Sequence, residues 1–352
     1  MSQRFVRYLA LTVLVSAAAA AAEYEVVKST HGNLIISGFA IGRYTYQYGD
    51  GPALGAPPAS TFSLRSASII FHGDVFKYAG YCIYVDAVYS PAIFDAYGAL
   101  KIIPQTEIRA GQFLVPFSRE SYTSTSKLLL VDRSLASVNI APPLGRDVGA
   151  QAECKFASAE RPDWASLAVA VVNGSGPNRD DENAAKDVAV RVAGNPFPWE
   201  ATTGLTWEGY YYRGKPYAAA YGTGDEDRYG GCVAFEQGRL TFQGEVLYRE
   251  QTFRPAAGDT VDLADAGYYV QGGYGYPLPW PWLQVVEPVA RWERYDGDRR
   301  TPDDATAAVT GGVNLHLEPG HYCKLMANYQ HFVEEGRPMD NDKISAQLQL
   351  RF

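Results

Sequence analysis

Ile344-Ser345-Ala346-Gln347-Leu348-Gln349-Leu350-Arg351-Phe352 alternates apolar and polar side chains at every step and ends the chain on an aromatic residue. Successive side chains of an extended strand point to opposite faces. Ile344, Ala346, Leu348, Leu350 and Phe352 therefore share one face, and Ser345, Gln347, Gln349 and Arg351 share the other. This is the pattern of a strand with lipid on one side and water on the other, a stave of a transmembrane β-barrel. The alternative is an edge strand of a soluble sandwich, which buries the same greasy face against a second sheet.

The other end of the chain favours the barrel. Arg4 and Arg7 precede an apolar run from Tyr8 to Val15, followed by the alanine tract Ala17 to Ala22, in the order of a secretory signal. Residues 1–22 are accordingly expected to be a signal peptide, with cleavage after Ala20 or Ala22, and residues 23–352 a single barrel domain. The apolar run is well short of the roughly 20 residues that a membrane-crossing helix requires. No other segment offers a continuous apolar run of that length. A chain of this kind held in a membrane must close into a barrel, because an open sheet leaves backbone groups unsatisfied in lipid. The terminal Phe352 also resembles the sorting signal of Gram-negative outer-membrane proteins.

Composition agrees with strands rather than disorder or helices: 47% of residues are hydrophobic and 20% charged, with 25 tyrosines and 34 glycines. The formal net charge of −8 does not exclude an anion pore, since charge on outer loops and charge at a constriction act on different parts of a path. Cys82, Cys154, Cys232 and Cys323 fall inside expected strands with no CxxC spacing, so they are expected to pack rather than to bind metal. His31, His72, His316, His321 and His331 are scattered and form no ligand motif. Neither a cofactor nor a nucleic-acid partner is expected.

Alternation and turn signals predict sixteen strands, at 33–48, 61–72, 77–89, 93–103, 105–114, 146–157, 163–173, 186–194, 203–213, 227–236, 239–250, 266–277, 283–295, 304–317, 321–333 and 343–352. Turns after the even-numbered strands are brief, as at Gly73-Asp74 and Gln237-Gly238. The odd-numbered connections are mostly long and polar, the exception being Ser90-Pro91-Ala92. Short turns on one rim and long loops on the other is the outer-membrane arrangement, and a barrel of this size encloses a water-filled lumen. The fold class is thus a 16-stranded antiparallel transmembrane β-barrel.

One connection stands apart. Val115 to Gly145 is long for an ordinary loop, and Leu128-Leu129-Leu130-Val131 and Leu135 are too apolar to remain in solvent. Folded inward against the barrel wall, this third odd-numbered connection would hide that surface and narrow the pore. It also carries Arg119, Lys127 and Arg133 with the hydroxyls of Ser124, Thr125 and Ser126, and Arg146 follows it. An oxyanion leaving water needs charge-assisted donors, which arginine supplies in a fixed fork. Against this, Arg133 could pair with Asp132 or Glu120 and simply pin the loop.

The block Gly111-Gln112-Phe113-Leu114-Val115-Pro116-Phe117-Ser118-Arg119-Glu120 resembles the phosphate-selective porin O and P family, as do Thr123-Ser124-Thr125-Ser126, Leu130-Val131-Asp132-Arg133-Ser134-Leu135 and Gly145-Arg146-Asp147-Val148-Gly149. The resemblance implies a trimeric porin in the Gram-negative outer membrane, in contact with its lipid, through which phosphate or a similar small anion diffuses passively. It also implies that the third loop forms the constriction and that Arg133 and Ser124 belong to a central anion site. Arg119, Lys127, Thr125, Arg65 and Arg146 complete the candidate set. Two positions depart from the family pattern: Arg65-Ser66-Ala67-Ser68 stands where clustered arginines are typical, and Ser121 where a basic residue is. Two other functions remain open from sequence, a weakly selective general porin and an outer-membrane hydrolase built on a serine and a histidine.

Overall fold

A computed structural model describes residues 24–29, 32–49, 59–156, 164–195, 204–218, 221–255, 259–318, 322–336 and 339–352. The expected signal peptide, His31 and His321 lie outside the described residues.

Sixteen staves form one ring: β1 Gly32–Gln47, β2 Ala59–Phe76, β3 Ala79–Asp86, β4 Ile93–Leu100, β5 Thr106–Leu114, β6 Arg146–Phe156, β7 Ala165–Val172, β8 Asp187–Gly194, β9 Leu205–Gly214, β10 Gly222–Gln237, β11 Leu240–Phe253, β12 Val261–Tyr274, β13 Leu283–Asp296, β14 Thr306–His316, β15 Cys323–Glu334 and β16 Lys343–Arg351. Three short strands, Tyr24–Ser29, Tyr217–Ala218 and Tyr276–Trp280, extend individual staves. Each stave pairs antiparallel with its neighbour in sequence. The ring closes where β16 meets β1, from Lys343 opposite Gln47 to Arg351 opposite Phe39. Phe352 adds a last rung, exchanging backbone hydrogen bonds with Gly38.

The polarity of this ring is inverted relative to a soluble protein. On β16, Ser345, Gln347 and Gln349 are buried while Ile344, Leu348 and Leu350 are exposed. The same holds on β15, where Lys324 is 1% exposed and its neighbour Leu325 39%. A wall that hides lysine and glutamine and presents leucine outward is stable only with lipid outside. Aromatic pairs sit near both rims, Trp280 stacked on Trp282 at 5.5 Å on the short-turn side and Tyr46 against Tyr48 at 5.0 Å on the long-loop side. Indole and phenol rings of this kind suit the interface between hydrocarbon and water.

All four cysteines are free thiols. The third stave is shorter than its alternation suggested, because the Asp86 carboxylate accepts the amides of Ala67 and Val88 at 3.0 and 3.1 Å and ends the strand in a turn.

Two irregularities matter for the lumen. Between β1 and β2, Ile41 faces Ser66 and Gly42 faces Leu64, which leaves Arg65 as the extra residue of a β-bulge. Between β3 and β4, Tyr84 faces Asp95 and Val85 faces Ile93, so Phe94 is extra. Bulges of this type break the alternation of faces and re-aim one side chain.

Candidate constriction

Residues 115–145 leave β5, cross to the far wall and return to β6. Along the way come two short helices, α1 Arg119–Tyr122 and α2 Leu135–Ile140, and single tight turns at Thr125–Lys127 and Pro143–Gly145. Serine hydroxyls start both helices, Ser118 accepting the Ser121 amide and Ser134 the Ser137 amide, each at 3.2 Å. At the return, Gly145 has φ 68°, and a Cβ there would lie 2.7 Å from Ser121 Oγ. Ser121 is itself buried against this return.

Inward-facing stave residues hold the segment by its backbone. Glu245 and the Tyr210 hydroxyl accept the Arg119 amide at 2.7 and 2.9 Å, Glu293 accepts the Leu135 amide at 2.6 Å, and Asn328 accepts the Val131 amide at 2.7 Å. Lys324, Asn314 and Gln349 donate to the carbonyls of Leu128, Leu129 and Ser126 at 2.7–3.0 Å. Contacts with staves β9 to β16 require that the segment lie inside the ring. Its apolar residues follow: Leu128, Leu130 and Val131 are buried, and Ile140 packs with Phe117, Tyr210 and Tyr212.

Ion pairs complete the stitching. Asp132 meets Arg43 at 2.8 Å and Lys343 at 3.0 Å. Its burial would raise its pKa, but these two cations outweigh that and hold the carboxyl at about 2. Glu120 accepts the amide and hydroxyl of Ser134 at 2.8 and 2.7 Å and pairs with Arg291 at 3.3 Å. Arg291 also pairs with Glu293 at 3.1 Å and donates to the carbonyls of Asp132 and Arg133.

The seven candidate residues fall into groups. Arg119 is captured by Glu208 and Glu236, both at 2.7 Å. It shares a cavity of about 120 Å³ below the loop with Lys127, Glu236, Glu287 and Lys324. Ser124 and Thr125 sit on the turn between Thr123 and Lys127, with Ser124 Oγ 3.1 Å from Ser126 Oγ. Arg133, Arg65 and Arg146 form the second group, on the β1–β6 side. Burial is the largest influence on Arg133 and lowers its pKa; Glu120 opposes this, and the nearby Arg65 and Arg146 charges reinforce it. Arg133 donates to the Thr123 carbonyl at 2.5 Å, and Arg65 donates to the Tyr89 hydroxyl. Among the described residues, neither Arg133 nor Arg65 makes an ion pair, whereas Arg146 pairs with Asp95 at 2.9 Å. Asp132 and Glu120, the carboxylates adjacent in sequence, are engaged elsewhere, although Glu120 still acts on Arg133 through space.

Other inward groups are mixed in sign. Arg109 lies 2.9 Å from Glu107 and 3.2 Å from Glu153. Ser66 and Ser68, at the positions where the family clusters arginines, close on Asp86. Tyr89, Asp95, Arg43, Arg291 and Lys343 were not candidates from sequence, since each takes its role from a partner distant in the chain, on another stave or on the loop.

Residues 42–352 match the family described as phosphate-selective porin O and P. The chain belongs to that family. This family member is an outer-membrane porin, a channel, and its fold recurs in distant solved structures. An anion-selective porin from Comamonas acidovorans aligns over 91% of this chain and 100% of its own at 13% identity, with TM-score 0.66. The outer membrane channel DcaP of Acinetobacter baumannii aligns over 93% and 99% at 13% identity, with TM-score 0.65. OmpF of Salmonella typhi, solved in complex with daunomycin, aligns over 93% and 99% at 12% identity, with TM-score 0.63. By sequence, an uncharacterized protein of Aquifex aeolicus (strain VF5) is 30% identical over 97 residues. That alignment covers 27% of the porin and 22% of the relative's own length.

Proposed function

We propose that this porin carries small anions, phosphate among them, by passive diffusion past Arg133. The observation that carries the reading is a loop guanidinium, held near Arg65 and Arg146, with no carboxylate paired to it among the described residues. A cation largely surrounded by protein interacts more strongly with a passing charge than one in open water, because the effective dielectric constant there is lower. Two neighbouring like charges raise the local potential further and select anions as a ring of cations does.

The partners of Arg133 supply orientation. Thr123 fixes one edge of the guanidinium through its carbonyl, which leaves the other donors for an oxyanion. Ser124 and Thr125 would add hydroxyl donors, and Lys127 and Arg119 would draw the ion on toward the lower cavity. Arg119, already neutralised by two glutamates, contributes least. Release follows from the mixed charge beyond the constriction, where Glu107 and Glu153 prevent an anion from binding tightly.

We also propose that the leader is removed on export, by cleavage after Ala20 or Ala22, and that the mature barrel works as a homotrimer in outer-membrane lipid. A trimer form of OmpT from Vibrio cholerae, aligned at 10% identity, gives a precedent for assembly of this fold. Intact mass and chemical cross-linking of the extracted protein test both points: a start at residue 21 or 23 and a three-chain species are expected.

The test of selectivity is the reversal potential of single channels in a potassium chloride gradient. A sign showing chloride more permeant than potassium is expected; a potassium preference overturns the proposal. The mixed charges around Arg109 favour a second reading, a weakly selective pore in which the loop sets only size. That reading requires conductance that rises linearly with salt and does not saturate with phosphate.

A further inference from the structure

We infer that the long-loop mouth of this porin holds a site for small aromatic carboxylates, seated on Phe94 and Leu144 with the carboxylate directed toward Arg65 and Arg133. The inference rests on the anion reading above and narrows it to a solute class.

A cavity of about 370 Å³ opens between the connection after β3, the return of the loop at Pro143–Gly145, and the segment after β7. Its size falls within the range of small-ligand pockets and suits a single ring. Phe94, turned inward by the bulge, is part of its lining, with Tyr84 stacked on it at 5.1 Å and Tyr89 edge-on at 4.9 Å. Pro143 and Leu144 form the facing wall. The flat guanidinium of Arg146 lies 4.5 Å from the Phe94 ring centroid, held there by Asp95 and by the Leu144 carbonyl at 3.1 Å.

The walls are anchored, so the cavity is built rather than incidental. Asn178 donates its side-chain amide to the Ile93 carbonyl at 2.7 Å and its backbone amide to Gln112 at 2.6 Å. Tyr89 lines the cavity and its hydroxyl receives Arg65, so the aromatic chamber leads to the unpaired cations.

Apolar walls do nothing for a hydrated inorganic anion, which must keep its donors to water or protein. A ring bearing a carboxylate gains on both counts: its face leaves water against Phe94 and Leu144 while its charge meets the arginines. Acetate has the charge without the ring, and phosphate has more charge without the ring.

Purified full-length porin in planar bilayers tests this, with chloride current recorded while benzoate, acetate or phosphate is added on the long-loop side. Benzoate is expected to block at about one-tenth the concentration acetate requires. Phe94→Ala should abolish that preference and leave phosphate block within about twofold of the parent, the ring being absent from phosphate. Because Phe94 is buried, Leu144→Asn is the second variant: Leu144 is 54% exposed at φ 51°, a backbone conformation asparagine tolerates. It too should lower benzoate affinity several-fold. Equal block by benzoate and acetate in the parent overturns this inference alone, as does a benzoate preference untouched by either variant. Absence of block by all three anions, with potassium preference, overturns the anion reading as well.

Discussion

Arg43 of the first stave donates to Asp132 of the loop at 2.8 Å across 89 residues of sequence, and Lys343 of the last stave reaches the same carboxylate at 3.0 Å. The seam where the barrel closes and the loop that narrows it are therefore held by one side chain. Asp132→Asn removes the charge and leaves two cations facing each other inside the wall. Because the carboxylate is 30% exposed, the cost falls below that of a fully buried pair, about 2 kcal/mol. A lower unfolding temperature and more frequent current flicker are expected in single-channel records. Records as quiet as those of the parent would show that other contacts alone hold the loop.

The same carboxylate sets a pH dependence. Its folded pKa of about 2 lies below the unfolded value near 4, so its contribution to stability is present above about pH 4 and is lost as pH falls through 2. The stability difference between the parent and Asp132→Asn should stay constant from neutral pH to about pH 5 and shrink between about pH 4 and 2. Acid titration of the two proteins checks this; a difference that closes by pH 6 contradicts the tether.

Arg291 tests the far wall. Its side chain is 1% exposed, pairs with Glu120 and Glu293, and donates to two loop carbonyls. Truncation to alanine leaves two buried carboxylates uncompensated, a loss on the order of 3–5 kcal/mol. Arg291→Ala should refold poorly from urea, and the survivors should be more easily cut by protease within 119–135. Arg291→Lys keeps one charge but not the fork, and should fall between.

Arg119 separates the two groups of cations. Both glutamates that hold it lie within 2.7 Å, so its charge is spent on the wall. Arg119→Ala should change the phosphate concentration for half-block by less than about threefold, a small effect beside that of a guanidinium with free donors. An effect as large as that of Arg133→Ala, measured in the same bilayers, would place the anion site in the lower cavity instead.

Much of the architecture was legible because it depends on short-range pattern. Alternation in 344–352 gave both faces of the closing stave, and the run Leu128–Val131 was too apolar for any place but the inside of the ring. Arg65 illustrates the limit. Strict alternation puts it on the same face as Ile69, which is exposed to lipid, and only the bulge opposite Ile41 and Gly42 turns it toward Tyr89. Phe94 was invisible as a site residue for the same reason. Arg119 and Arg133 are equivalent on paper, two arginines on one loop, and differ because Glu208 and Glu236 arrive from distant staves to claim the first.

Half-block of single-channel chloride current by phosphate, compared between the parent and Arg133→Ala, bears most directly on the central claim. Saturable block in the parent, weakened by about tenfold or more in the variant, is the expected result for loss of a charge-assisted contact. Linear, phosphate-insensitive current in the parent, or block unchanged by Arg133→Ala, would contradict it.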